Sequence, residues 1–265
     1  MRLIIITLST IAILFTANAA KADRRIAFVA GNGAYKNTER LPNAPASAKA
    51  MEGLLQNLGF EVVEGIDLTR EAMTERLLEF GRKAEGADLA LFYYAGQGVS
   101  IGGVEYLLPV DADVKSEMDL KLGGAINVDL TVDQTMGDAK VKLVFLDTSR
   151  NNPFPAPSGK AATKVSVKPA LAEMKASENT MTAFATAPGR AAPDGPAGTI
   201  RPFTRALIAN IAAPGVEIQQ AMTKVRVQVS QETQGRQASW GHTNFPAAAT
   251  VYLNPAPAPA SAPAK

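Results

Sequence analysis

Polar residues that could do chemistry follow an almost continuous apolar run in the middle of the chain. The run occupies residues 141–146, and Asp147, Thr148, Ser149 and Arg150 come directly after it. A short run that is rich in β-branched and aromatic residues and ends in turn-forming residues is typical of a strand buried on both faces. We therefore expect an acid, two hydroxyls and a base at the carboxyl end of a central strand, where open α/β sheets place their sites.

A second stretch of the chain has the same form. Residues 88–94, DLALFYY, predict another buried strand, and Ala95, Gly96, Gln97 and Gly98 follow it. We expect these four residues to form a glycine-flanked turn that can adopt positive φ and bring one polar side chain close to a neighbour. If the two strands are adjacent and parallel, their ends lie roughly 5 Å apart. Gln97 and Ser149 would then face each other across one cleft.

The two stretches together resemble a known protein family. YAGQG at residues 94–98 and LDTSRNNPF at residues 146–154 are similar to the Y-[SA]-G-H-G and D-x-C-R-x-N-P motifs of bacterial caspase-like peptidases. This family is peptidase C14, and it includes relatives of metacaspases and orthocaspases. The resemblance implies that the histidine of the first motif is a general base and that the cysteine of the second is the nucleophile. This chain has Gln97 and Ser149 at those two positions, so both catalytic residues are replaced.

The resemblance also implies substrate-binding residues. Asp147 matches the acid before the nucleophile, which in metacaspase-like enzymes helps to hold a basic substrate side chain. Asn151 stands where the family often has a second aspartate, and Gly98 lies beside the degenerate base position. These three residues are our candidate substrate-binding group. The alternative for Asp147 is a strand-end acid that nearby backbone N–H groups satisfy.

The replacements bear directly on catalysis. A thiol has a pKa near ~8.5 and ionises after a modest perturbation, whereas a serine hydroxyl needs a base within hydrogen-bond reach. The amide of Gln97 accepts no proton near neutral pH. The only histidine is His242, and we do not expect it to replace the missing base. We predict a pseudopeptidase that acts as a peptide-binding, protein-binding or regulatory module. The alternative is an active hydrolase that uses Ser149 with an unrecognised base.

Composition excludes several other functions. The 265 residues include no cysteine, 27 basic and 25 acidic residues, so disulfides and cysteine catalysis are excluded and no nucleic-acid partner is indicated. The glycine-rich turn at Gly31 and Gly33 lacks the rest of a dinucleotide-binding motif. Asp111 and Asp113 are two residues apart, which is more typical of a turn than of a metal site. We expect no metal and no cofactor, and no oligomeric state is indicated.

The first 20 residues predict export. Arg2 precedes an apolar core at residues 3–15, and small residues follow it, as in a secretory signal peptide. The core is too short to span a bilayer comfortably, so a permanent membrane anchor is the weaker alternative. We expect a periplasmic or extracellular bacterial protein without a stable membrane anchor after cleavage.

Strands alternate with helices along the rest of the chain. This order predicts an α/β fold, and with the family resemblance it predicts a caspase-like three-layer α/β/α sandwich with a mainly parallel six-stranded sheet. Ser47 and Thr69 are the expected N-caps of the first two helices. Strands are expected at residues 25–30, 60–64, 88–94, 141–146, 180–186 and 250–253, and helices at residues 46–58, 69–85, 127–136, 202–212 and 216–233.

The expected caspase-like domain is residues 24–253. The resemblance divides it into a large-subunit-like part at residues 24–153, a linker at residues 154–178 and a small-subunit-like part at residues 179–253. Residues 254–265 alternate proline and alanine and predict a disordered tail. Lysines in the linker could be processing sites in an active relative, but this chain lacks the thiol that would cut them, and we predict that it stays whole.

Overall fold

A computed structural model describes residues 23–149, 178–187, 190 and 192–256. Its elements alternate between strands and helices for most of the chain. They are β1 Arg25–Gly31, α1 Asn43–Asn57, β2 Glu61–Ile66, α2 Arg70–Ala84, β3 Leu89–Ile101, β4 Val104–Leu107, α3 Glu117–Asp119 with a π-helical turn at Leu120–Gly124, β5 Ile126–Asn127, α4 Val128–Met136, β6 Val141–Ser149, β7 Thr180–Phe184, α5 Pro202–Ile211, α6 Ile218–Glu232 and β8 Trp240–Thr243.

The main sheet has the strand order β2-β1-β3-β6-β7-β8. The first five of these strands are parallel to their neighbours, and only β8 is antiparallel, to β7. The short strands β4 and β5 extend from the end of β3 as an antiparallel branch. The predicted mainly parallel six-stranded sheet is therefore confirmed, and β3 and β6 are its two central strands.

Helices cover both faces of the sheet. Alternate residues of the central strands face opposite sides because successive side chains of a strand point to opposite faces. Leu91 and Phe145 belong to the core shared with α1, α5 and α6, whereas Phe92 and Val144 belong to the core shared with α2 and α4. Two apolar layers thus separate three structural layers, as the three-layer α/β/α prediction requires.

The expected turn at residues 95–98 is instead a continuation of β3. Gly96 and Gly98 do not have positive φ, and the chain reverses only at Gly102 and Gly103, whose φ values are +60° and +89°. Close packing explains the first two glycines. A Cβ on Gly96 would lie 2.6 Å from the hydroxyl oxygen of Tyr35. The prediction of a turn was wrong because glycine also serves where other groups approach the backbone.

The first helix begins earlier than predicted. α1 starts at Asn43, so Ser47 lies inside the helix rather than at its N-cap. The buried Ser47 hydroxyl donates to the Asn43 carbonyl at 2.8 Å and accepts the backbone N–H of Arg201 at 3.0 Å. Ser47 therefore connects α1 to the start of α5. Thr69 does cap α2, as predicted, and its hydroxyl accepts the N–H of Ala72.

The sixth strand of the main sheet is not the one expected. Residues 250–253 form only an isolated bridge, between Tyr252 and Glu217, and β8 occupies the sheet edge instead. Most residues of β8 are half-buried. A strand of this kind needs no alternation of apolar and polar residues, and its sequence therefore did not predict it. The central strand β6 is also longer than expected, since it runs on through Ser149.

Within the described residues, no helix is long and apolar enough to span a membrane. The expected signal peptide, nearly all of the linker and most of the proline-rich tail lie outside the residues that the structure describes. These three assignments stay predictions.

Candidate functional site

Gln97 and Ser149 are register partners at the carboxyl end of the two central strands. The parallel pairing of β3 with β6 places them opposite each other in the last position of that ladder. Partners on neighbouring strands lie about 5 Å apart and project from the same face of the sheet. Both residues are buried. The structure therefore brings together the two side chains that the sequence placed across one cleft.

Tyr35 and Glu39 fix the position of Gln97. The Tyr35 hydroxyl oxygen accepts the backbone N–H of Gln97 at 2.7 Å, and the Gln97 side-chain amide donates to the Glu39 carbonyl at 3.2 Å. The side-chain oxygen of Gln97 is buried, and it has no hydrogen-bond partner among the described residues. The amide is thus held by its N–H₂ end, and its acceptor end is left for another donor.

The turn after β1 supports this arrangement. The Tyr35 and Tyr94 hydroxyl oxygens lie 2.9 Å apart, and the Tyr94 hydroxyl donates to the Leu108 carbonyl at 2.8 Å. Burial raises the pKa of both phenols well above the ordinary tyrosine value, so they remain neutral. Asn32 donates its side-chain amide to the Leu108 carbonyl at 3.1 Å. The glycine-rich turn therefore has a structural role beneath the cleft.

The remaining predicted site residues lie near this pair where the structure describes them. Gly98 pairs with Leu107 across the β3–β4 hairpin, and a Cβ there would lie 2.8 Å from a Glu105 carboxylate oxygen and 2.9 Å from the Thr148 Cβ. Arg150 and Asn151 lie outside the described residues. The substrate-binding roles given to Gly98 and Asn151 stay predictions.

Asp147 is fully enclosed beside the register pair. It precedes Ser149 by two residues on β6, so the two side chains lie on the same face of the sheet. One carboxylate oxygen accepts Nε of Arg201 at 3.0 Å, and the other accepts the Thr204 hydroxyl at 2.5 Å. Within the described part of the chain, the partners of the Asp147 carboxylate are two side chains, whereas the alternative expected backbone N–H groups. The substrate-binding role of Asp147 stays a prediction.

A second carboxylate joins this network. Arg201 has no exposed surface, and its Nη1 donates to Asp194 at 3.1 Å. Burial raises the pKa of the Asp194 carboxyl, and the nearby guanidinium opposes that rise. The carboxylates of Asp147 and Asp194 raise the pKa of Arg201 against the effect of burial. The guanidinium therefore stays charged between the two acids. Asn43 fixes the loop around Asp194 by donating to its backbone carbonyl at 2.9 Å.

His242 is far from Ser149. It lies on β8 opposite Thr182 of β7, and Thr182 pairs with Val144 of β6. Ser149 is five residues further along β6, or roughly 16 Å at the usual rise of a strand. His242 therefore cannot act as a general base for Ser149 in this fold. Burial lowers the pKa of His242.

The two carboxylates near residue 112 make different contacts in this structure. Asp111 accepts the backbone N–H of Arg70 at 2.9 Å at the start of α2. Asp113 pairs with Lys115 at 3.0 Å on the surface. The two carboxylates therefore have separate structural partners. Within the part of the chain that the structure describes, no group of three or more potential metal ligands occurs.

Sequence reasoning missed four residues that shape the site. They are Tyr35, Asp194, Arg201 and Thr204, and all come from segments far along the chain from Ser149. Arginine is rarely fully buried unless it is paired, so nothing in its local sequence predicts the position of Arg201. A usable signal was the resemblance of residues 186–195 and 202–207 to the family, because those segments contain Asp194 and Thr204.

Comparison with known proteins agrees with this architecture. The caspase domain family, peptidase C14, matches residues 24–248. The chain is also similar to the human mucosa-associated lymphoid tissue lymphoma translocation protein 1, at 31% identity over 97 residues, and to its mouse homolog, at 32% over 91 residues. These stretches cover 37% and 34% of this chain but only 12% and 11% of the two relatives. The match to the family spans well over half of the chain, and the protein therefore belongs to the caspase domain family.

Proposed function

We propose that this protein is a pseudopeptidase: a caspase domain that binds a peptide or protein segment without cutting it. The observation that carries the proposal is the register pair of Gln97 and Ser149. An amide and a hydroxyl stand at the ends of the two central strands, where the family motifs have an imidazole and a thiol. The scaffold that aligns the two positions is retained, and the two reactive groups are not.

The chemistry of the pair explains the loss of activity. General-base catalysis requires a group that takes the proton of the nucleophile, and the Gln97 amide cannot take it near neutral pH. The Gln97 acceptor oxygen could at most orient the Ser149 hydroxyl. Groups that act as a unit lose most of their effect when one of them is removed. We therefore expect any residual rate of peptide hydrolysis to be no greater than the rate that substrate binding and backbone hydrogen-bond donors alone can produce.

An active hydrolase is the second candidate. It would need a base near Ser149, and His242 is excluded by its position on β8. Lys142 lies at the opposite end of β6, where its ammonium donates to the Gly137 and Ala139 carbonyls. Neither residue supports the hydrolase, and the pseudopeptidase is the better account.

The proposed ligand is an extended segment of a peptide or protein outside the cytoplasm. The N-terminal sequence supports export, because a short apolar core follows a single positive charge. The position of Gln97 and Ser149 at the carboxyl end of a parallel sheet supports binding there, because α/β folds place their ligand sites at that end. No nucleic acid, metal or cofactor takes part in the proposal.

A fluorophosphonate probe tests the proposal against the hydrolase alternative. Such a probe forms a covalent bond with a serine that is activated by a base. We expect no adduct on Ser149 by intact mass and peptide mapping, at the same background as in Ser149→Ala. Stoichiometric labelling at Ser149 that disappears in Ser149→Ala would show an activated serine and overturn the proposal.

A further inference from the structure

Arg201 occupies the space between two acids, one of which is on the same strand as Ser149. Its side chain is fully buried, with Nε on Asp147 at 3.0 Å and Nη1 on Asp194 at 3.1 Å. Its remaining nitrogen, Nη2, is buried without a hydrogen-bond partner among the described residues. The guanidinium therefore uses only part of its hydrogen-bonding capacity, although it is flanked by two carboxylates.

The Asp147–Arg201 ion pair lies close to Ser149. Asp147 lies on the same face of β6 as Ser149 and about 7 Å before it along the strand. An extended ligand that crosses Ser149 would direct a long side chain along this face toward Asp147. The side chain of Asp194 is 18% exposed, so the acid pair meets solvent through Asp194. Both acids are already occupied by Arg201.

Stability gives a weak reason for such an arrangement. Burying an ion pair costs desolvation energy that its Coulomb attraction often fails to repay, and apolar replacements of similar volume are often neutral or stabilising. Two carboxylates that flank one position are, however, well suited to recognise a guanidinium. Arg201 therefore occupies, within the same chain, a position that suits the basic side chain of a bound ligand.

We propose that Arg201 fills a cation pocket formed by Asp147, Asp194 and Thr204, and that it thereby excludes arginine and lysine side chains from the cleft beside Gln97 and Ser149. This inference rests on the proposed function, because it concerns what a bound segment can place in that cleft. The native protein then selects against segments that present an arginine or lysine side chain at this position. Replacing Arg201 by a small residue converts the pocket into a site for an external guanidinium.

Covalent trapping tests the proposal at the cleft itself. Three variants are compared. They are Ser149→Cys, the double variant Ser149→Cys/Arg201→Ser, and the triple variant Ser149→Cys/Arg201→Ser/Asp147→Asn. Each is treated with a peptidyl chloromethyl ketone that ends in arginine or in citrulline, which has nearly the same shape without the charge. The cysteine sulfur forms a bond to the methylene carbon, the carbon–chlorine bond breaks, and chloride and the thiol proton leave. Intact mass measures the rate against reagent concentration.

We expect the arginine reagent to label Ser149→Cys/Arg201→Ser about tenfold to a hundredfold faster than Ser149→Cys, since a charge-assisted hydrogen bond contributes roughly 1.5–3 kcal/mol. The citrulline reagent should label these two proteins at similar rates, and Asp147→Asn should abolish the gain. Equal arginine labelling with and without Arg201 would overturn the proposal. A rate of labelling by the citrulline reagent that rises linearly with reagent concentration in every variant, without saturation, would instead count against peptide binding. It would then count against the proposed function.

Agmatine, a free guanidinium compound, gives an independent measurement. Arg201→Ser leaves Asp147 without its cation and can impair folding, so the single variant is refolded with agmatine or with its uncharged ureido analogue. We expect agmatine alone to raise the unfolding temperature of Arg201→Ser, and to leave that of the wild type unchanged. A folded Arg201→Ser protein that ignores agmatine would overturn the proposal. So would an unfolded one that agmatine does not restore.

Discussion

The hydroxyl oxygen of Tyr35 accepts the backbone N–H of Gln97 at 2.7 Å, although the two residues are 62 positions apart in the chain. This contact joins the turn after β1 to the degenerate base position on β3. Tyr35→Phe removes the acceptor and leaves a buried N–H unpaired. We expect the free energy of unfolding to fall by about 1–3 kcal/mol. We also expect the backbone N–H proton of Gln97 to exchange faster with solvent.

Urea unfolding and hydrogen exchange measure the two effects of Tyr35→Phe. The matched control is Tyr252→Phe, because Tyr252 is 38% exposed and its substitution should change the free energy of unfolding by no more than about 0.5 kcal/mol. Equal effects of the two substitutions would show that Tyr35 does not fix Gln97.

The two acids around Arg201 should differ in their contributions to stability. Asp147→Asn breaks a pair in which both side chains are 1% exposed, and we expect a loss of about 3–5 kcal/mol in the free energy of unfolding. Asp194→Asn changes the acid that is partly exposed, and we expect a loss of about 1–2 kcal/mol. Urea unfolding at neutral pH measures both. An Asp194→Asn loss as large as that of Asp147→Asn would contradict the arrangement.

Gly98 should not tolerate a side chain. An alanine Cβ there would approach a Glu105 carboxylate oxygen to 2.8 Å, and we expect Gly98→Ala to lower the free energy of unfolding by about 1–3 kcal/mol. Gly53 in α1 is the matched control, since a Cβ added there would have no atom within 4 Å. Gly53→Ala should be stabilising by about 0.5–1 kcal/mol. Opposite signs in urea unfolding support the packing, and a neutral Gly98→Ala would refute it.

His242 should make the protein less stable in mild acid. Burial lowers its pKa in the folded state, whereas an unfolded histidine titrates near about 6.5. As the pH falls below that value, the unfolded chain binds a proton that the folded chain does not, and stability is lost until the pH passes the folded pKa. His242→Gln removes this contribution.

Thermal unfolding at pH 7.5 and pH 5.5 tests the histidine effect. Arg226 lines the same surface cavity as His242 and is present in both proteins, so the difference between wild type and His242→Gln isolates the imidazole. We expect the wild type to lose more stability between the two pH values than the variant loses. Identical losses would show that His242 is as accessible to protons as in the unfolded chain.

The sequence predicted the central part of the fold because its signals there are local. Two apolar runs indicated two buried strands, and Gln97 and Ser149 were expected to face each other if those strands were adjacent and parallel, as they are. Arg201 could not be predicted, because its burial depends on two acids that the fold brings from β6 and from the loop before α5. The glycines at residues 96 and 98 were misread because local sequence does not distinguish a turn from a close approach.

We propose that the replacement of a histidine and a cysteine by Gln97 and Ser149, rather than a change in the scaffold, leaves this caspase domain without peptidase activity. The most direct measurement is the digestion of a peptide library of all side-chain types by wild type, Ser149→Ala, Gln97→His, Ser149→Cys and the double variant Gln97→His/Ser149→Cys. Mass spectrometry of the new peptide termini detects cleavage after any residue type. The assay therefore does not assume cleavage after arginine or lysine, which Arg201 would oppose.

We expect wild type and Ser149→Ala to give the same background, and each of the other single variants to stay near it. The double variant should exceed wild type by about 10²-fold or more, because a base and a thiol act as a unit. Cleavage by the wild type that Ser149→Ala abolishes would contradict the account, since it would show that Ser149 is an active nucleophile.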